Sequence, residues 1–94
     1  MITLTEVCQI TINQEEDILL IVEEGIVSPK TQQTGQPAFQ EQDLMVIKKA
    51  CRLHKELNLD WHAVALMMDL LDARDALERE NAALRQRLER FLDF

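Results

Sequence analysis

The stretch from Asp60 to Phe94, DWHAVALMMDLLDARDALERENAALRQRLERFLDF, contains neither Gly nor Pro. It is rich in Ala, Leu, Glu and Arg, which favour helix, and it opens on an Asp suited to an N-cap. The stretch predicts one helix from Trp61 to about Phe91, roughly 45 Å long at about 1.5 Å per residue. Leu70, Leu77, Leu84 and Phe91 recur every seven residues, and Arg74, Asn81 and Leu88 take the alternate seam positions. A heptad seam with a polar Asn in it is the pattern by which coiled coils set register and strand number. Before Leu70 the sequence is broadly apolar (Ala63, Val64, Ala65, Leu66, Met67, Met68), so the first half is expected in a core. The second half carries a seam that nothing else in the chain is long enough to cover. The expectation is a globular unit over residues 1–59 and an interaction or dimerisation rod over 60–94. Its seam is Leu70, Leu77, Asn81, Leu84, Leu88 and Phe91. The alternative is a solvated terminal helix that folds back, and the seam leaves open an antiparallel pair, a parallel pair or a groove for a different partner.

Ninety-four residues suffice for one domain whose core is only modestly stabilising. Removing the rod leaves about sixty residues for the globular part, a size at which burial against a partner is a plausible aid to stability. Charge is uneven along the chain. Residues 1–47 hold one base, Lys30, against eight acids, whereas residues 48–94 hold nine of each sign. An acidic front half repels nucleic acid and favours a basic protein surface. Cys8 and Cys51 have no C-x-x-C spacing and fall on apolar helical faces, so buried free thiols in a reducing compartment are expected. Glu6 interrupts the N-terminus and the longest apolar run is only Ala63–Met68, which argues against a signal peptide or membrane span. The expected location is cytoplasmic.

Taken in order, Met1–Thr3 is a short strand or a lead-in. Thr5 suits the N-cap of a short helix with Val7, Cys8 and Ile10 turned inward. Asn13-x-x-Glu16 is a capping-box arrangement opening a second helix with an acidic first turn. Ile18, Leu19 and Val22 form its expected inward face, with Leu20 and Ile21 widening it. Gly25 is placed as a left-handed terminator, with Ile26 packing back. Two short helices joined by a tight turn give a helix-turn-helix. Val27–Phe39 reads as a hairpin wing that Phe39 pins to the core. Asp43 or Gln40 starts a third helix with Leu44, Ile47, Cys51 and Leu57 inward, helped by Met45 or Leu53. Lys48, Arg52 and Lys55 lie on its other face. Asn58-Leu59-Asp60 turns the chain into the long helix, and Trp61 plugs that junction. The predicted class is mainly α, a winged helix-turn-helix with a small β wing and a long C-terminal helix of coiled-coil type.

For catalysis the residues offer little. The carboxylates sit on amphipathic helix faces, and no Ser/His/Asp grouping, Gly-rich phosphate loop or strand-borne nucleophile is visible. The chain reads as no enzyme, with no cofactor. Cys51, His54 and His62 could bind a soft cation only if the junction brought them together. Without a cysteine pair, a core thiol and two partly exposed histidines are the preferred reading, and no metal is expected. DNA binding is the serious rival. The layout suits it, and Lys48, Lys49, Arg52 and Lys55 could meet phosphates. The second helix, however, reads QEEDILLIVEE, five acids with no base and no aromatic. Its first turn carries Glu15, Glu16 and Asp17, each repelled by a phosphate backbone, so DNA binding by this chain alone is disfavoured.

Three stretches carry a family resemblance: TEVCQITINQEEDILLIVEEGIVSP, CRLHKELNLDWHAVALMMDLLD and ENAALRQRLERF. Together with Phe39-x-x-x-Asp43 they follow the plan of the MerR-type winged helix. The LNLDW turn, the apolar run after it and the terminal ENxxLRQRL resemble in finer detail the CbpM family of bacterial chaperone modulators. The resemblance implies a MerR-like fold that has given up reading DNA. MerR regulators place Arg and Tyr in the second helix, where this chain has the acidic and aliphatic residues Asp17–Val22. It also implies a partner, the J-domain of a CbpA-like, DnaJ-like co-chaperone. Binding would stop the co-chaperone from stimulating its DnaK-type chaperone and from binding DNA. J-domains present a basic helix, which an acidic surface could occupy. Charge, rather than the resemblance, singles out Glu15, Glu16, Asp17, Glu23 and Glu24 as steering residues, with Leu20 or Ile21 as exposed apolar anchors; a merely solvated acidic face is the competing reading. The alternatives are a MerR-type DNA-binding transcription regulator, and a metal or redox sensor built on Cys51, His54 and Cys8. A homodimer through the C-terminal helix fits either of the first two.

Overall fold

The computed structural model describes residues 1–93, so Phe94, the last residue of the expected rod, lies outside it. In chain order the elements are β1 (Ile2–Thr3), α1 (Leu4–Thr11), α2 (Glu15–Glu23), β2 (Lys30–Thr31), β3 (Pro37–Phe39), α3 (Glu41–Leu57) and α4 (Trp61–Leu92). The mainly α winged helix-turn-helix expected from the sequence is what forms. Of Met1–Thr3, expected as a short strand or a lead-in, Ile2–Thr3 forms the strand. β1 pairs antiparallel with β3 (Ile2 opposite Phe39), and β2 pairs with the other edge of β3 (Lys30 opposite Ala38). Pro37, with no N–H to donate, sits at the first residue of its strand.

Helix starts fall slightly away from expectation. Thr3, not Thr5, caps α1: its hydroxyl accepts from the Glu6 N–H at 3.2 Å, while the Thr3 N–H donates to Glu6 Oε1 at 3.3 Å. The expected Asn13–Glu16 capping box does not form, and Gln14 occupies the N-cap of α2. The physical reason is orientation: the Asn13 side-chain amide donates to the Thr11 carbonyl and to Cys51 Sγ, which turns the side chain away from the first turn of α2. Gly25 does terminate α2 in the left-handed region, at φ +76°. Its N–H reaches the Val22 carbonyl and the Ile26 N–H reaches that of Ile21, the paired bonds of a Schellman turn. For α3, Gln40 is the cap and Asp43 supports it by accepting from the Gln40 N–H at 2.9 Å.

The core joins Leu4, Val7, Ile18, Ile21, Val27, Phe39, Ile47, Ala50, Trp61, Val64 and Met68. Every helix and the sheet contribute to it, so the first turns of α4 are part of the front unit's interior. The inward face of α3 is Ile47 and Ala50 flanked by Leu44, Val46, Cys51 and Leu53. Leu57 and Met45, placed inward by the sequence reading, are exposed. Leu57 is the last residue before the Asn58 turn (φ +51°), where the chain leaves the helix axis. Ile10 is exposed as well, next to the last residue of α1. Asp60 caps α4 by accepting from the Ala63 N–H at 2.8 Å. Beyond Asp75 every described residue of α4 is exposed, and the molecule extends 61 Å along its longest axis.

Candidate partner-binding surface

Burial on α2 is set by a stripe three residues apart. Ile18 and Ile21 are fully buried and Val22 is half-buried, so the opposite face carries Glu15, Glu16, Leu19, Leu20, Glu23 and Glu24 to solvent. Two expected site residues are corrected by this geometry. Ile21 is 0% exposed and belongs to the core, so it offers no anchor. Asp17 is half-buried on the side facing α1 and α3, where its charge helps hold the thiols of Cys8 and Cys51 above their ordinary range. Burial is the larger cause at both cysteines, which are free and half-buried rather than enclosed.

Leu20, 42% exposed, does stand among the acids as expected. Leu19, 45% exposed, joins it, although the sequence reading turned it inward. At about 100° per residue, a stripe centred on Ile18, Ile21 and Val22 leaves positions 19 and 20 facing away, so the signal was present in the spacing. The outer face of α2 is therefore two leucines framed by four glutamates, with no base on the helix.

Glu24 links this face to α4. Its Oε2 lies 3.0 Å from His62 Nδ1, and that hydrogen bond and charge hold the imidazole above its ordinary pKa. The other members of the possible metal trio are occupied separately. Cys51 Sγ accepts from Asn13, while His54 Nδ1 is hydrogen-bonded to the Leu59 carbonyl and its ring stacks on Trp61. Among the described residues no group of three His, Cys, Asp or Glu stands close enough to hold a metal.

On α3, Lys48, Lys49, Arg52 and Lys55 are exposed and make no ion pair among the described residues. They form a basic face on α3, and Lys49 at its edge reaches the groove that Glu24 also lines. On α4, Leu70, Leu77, Leu84, Leu88 and Phe91 are all more than half exposed and Asn81 is exposed with them. Among the described residues the seam is thus an exposed stripe along the outer half of α4. Among the described residues no helix is long and apolar enough to cross a membrane.

The arrangement suits recognition of a basic surface, steered by the carboxylates of Glu15, Glu16 and Glu23 beside the Glu24–His62 pair and gripped by two leucines. Comparison with known proteins agrees with the fold. A family model described as MerR HTH family regulatory protein matches residues 2–86. Proteins named chaperone modulatory protein CbpM are similar along nearly the whole chain. That of Citrobacter koseri is 39% identical over 90 residues, covering 96% of this chain and 89% of its own. That of Pseudomonas putida is 41% identical over 85 residues, covering 90% and 84%. An Escherichia coli relative is 40% identical over 90 residues, covering 96% and 89%. These names describe a regulatory role.

Proposed function

This chain belongs to the CbpM family, on a MerR helix-turn-helix fold, and from that membership we propose that it is an inhibitory modulator of a CbpA-type co-chaperone. It works in the cytoplasm by binding the J-domain of that co-chaperone, so that the J-domain neither stimulates its DnaK-type chaperone nor leaves the co-chaperone free to bind DNA. The observation that carries this reading is the outer face of α2, where Leu19 and Leu20 lie exposed among Glu15, Glu16, Glu23 and Glu24. In a MerR-type DNA reader that helix enters the groove between phosphates; here its charge opposes such entry. A basic helix of comparable size is the complementary ligand, attracted from a distance by charge and retained by apolar contact.

The exposed seam of α4 supports pairing of two copies along the rod, with Asn81 selecting the register. Such pairing leaves α2 of each copy on the front unit and available.

The test is titration into the isolated J-domain at low and moderate salt. Saturable binding that weakens with salt, and weakens further in Glu15→Lys/Glu16→Lys, is the expected result. Binding indifferent to both charge reversals would move the interface to α3 or the rod. Retention on duplex DNA with no J-domain binding would overturn the reading in favour of a transcription regulator.

A further inference from the structure

Beside the α2 face lies a groove of about 220 Å³, walled by the Gly25 turn, α3 and α4. Its floor is apolar, made by Ile26, Val46, Ala65 and Met68. Its rim is charged, with Glu24, Asp69 and Asp72 facing a single base, Lys49. Among the described residues the ion pairs are Glu24–His62 and those of Arg74 with Asp75 and Glu78. Asp69, Asp72 and Lys49 are therefore unpaired, and the rim keeps a net negative charge. Glu24 belongs both to this rim and to the α2 face, so the groove continues the surface already assigned to the partner.

We infer that this groove receives one Lys or Arg side chain from the basic helix of the partner, an inference that rests on the co-chaperone reading above. Such a side chain has an apolar stem and a cationic head, and the groove offers the two surfaces in that order, from floor to rim. Carboxylates at the rim give charge-assisted hydrogen bonds to the head, while the stem covers Ala65 and Met68. An acidic partner side chain would meet the net charge of the rim, and a short apolar one would leave the carboxylates facing it without a donor. The α2 face supplies steering that any basic surface satisfies; the groove supplies register, because it admits one long cation at one place.

The experiment uses the full chain and the isolated J-domain of a CbpA-type co-chaperone. Two variants probe the groove independently: Asp69→Asn/Asp72→Asn removes rim charge at exposed positions, and Ala65→Leu fills the floor while keeping a good helix former. Each is expected to weaken binding about tenfold, with helical circular dichroism and thermal midpoint close to those of the parent. An alanine scan of the J-domain's Lys and Arg residues then identifies the inserted side chain. One substitution should lose its effect in the Asp69→Asn/Asp72→Asn background, whereas the others stay additive. If the parent binds but both groove variants bind as well as it does, the groove inference falls and the co-chaperone reading stands. If they weaken binding but no partner residue couples to the rim, a single inserted cation is ruled out. If the parent does not bind, both fall together.

Discussion

The imidazole of His54 lies flat against the indole of Trp61, ring centroids 4.1 Å apart and planes within 13°. The pair closes the junction between α3 and α4, with the His54 Nδ1–H donating to the Leu59 carbonyl inside the same turn. This contact holds the root of the long helix against the front unit. Trp61→Ala is expected to cost about 3–5 kcal/mol, a large part of what so small a domain possesses. His54→Ala, losing one stack and one hydrogen bond, should cost about 1–2 kcal/mol. Urea denaturation followed by circular dichroism measures both.

The second histidine reports on charge. Because Glu24 raises the His62 pKa above 6.5, the ion pair strengthens the fold fully below pH 6.5 and that contribution is lost as pH rises through the folded-state value. An NMR titration should place the His62 midpoint above 6.5, and Glu24→Gln should lower it. A midpoint unmoved by Glu24→Gln would show that the pair does not persist in solution.

Gly25 holds φ +76°, and an added Cβ would meet nothing within 4 Å. The cost of Gly25→Ala is therefore backbone strain alone, about 1–2 kcal/mol. Gly25→Asn, which tolerates the left-handed region better, should recover part of that loss in the same denaturation assay.

Neighbouring residues on α2 separate stability from recognition. Ile21→Ala opens the core and should destabilise by about 2–5 kcal/mol. Leu20→Ala and Leu19→Ala alter exposed positions and should change stability by no more than about 0.5 kcal/mol. Their loss should appear instead as weaker J-domain binding by calorimetry. Unchanged affinity in the double variant would remove α2 as the gripping face.

For the rod, Leu77→Lys/Leu84→Lys places like charges on the seam of α4. Sedimentation equilibrium should show the parent as a dimer and the variant as a monomer, with the front unit still folded. Asn81→Leu should keep the association while loosening its choice of strand number.

The acidic face and Leu20 on it are legible in the residues, whereas Leu19, which the spacing also turns outward, is expected inward. Composition alone identifies QEEDILLIVEE as a helix that avoids phosphate, and a single stripe rule would have paired Ile18 with Ile21. Five consecutive apolar positions, Ile18 to Val22, blur the boundary between the two faces, so that Leu19 is expected inward and Ile21 outward where the structure has the reverse. Two helix starts were likewise misplaced by one or two residues, since Thr3, Thr5, Asn13 and Gln14 all offer plausible caps. The orientation of Asn13 depends on Cys51, thirty-eight residues away, whose sulfur accepts from the side-chain amide and so turns Asn13 away from the first turn of α2.

What the sequence determined by itself is whatever depends on local spacing: the Gly- and Pro-free rod with its heptad seam, the Gly25 stop, the wing ending at Phe39, and the segregation of acid from base. Those features follow from propensity, periodicity and charge, which act over a few residues. Only the tertiary structure decided where Asp17 points, and that Glu24 meets His62 beside an apolar groove. Each of these depends on how α3 and the first turns of α4 pack against α2, contacts between residues distant along the chain that no local pattern encodes.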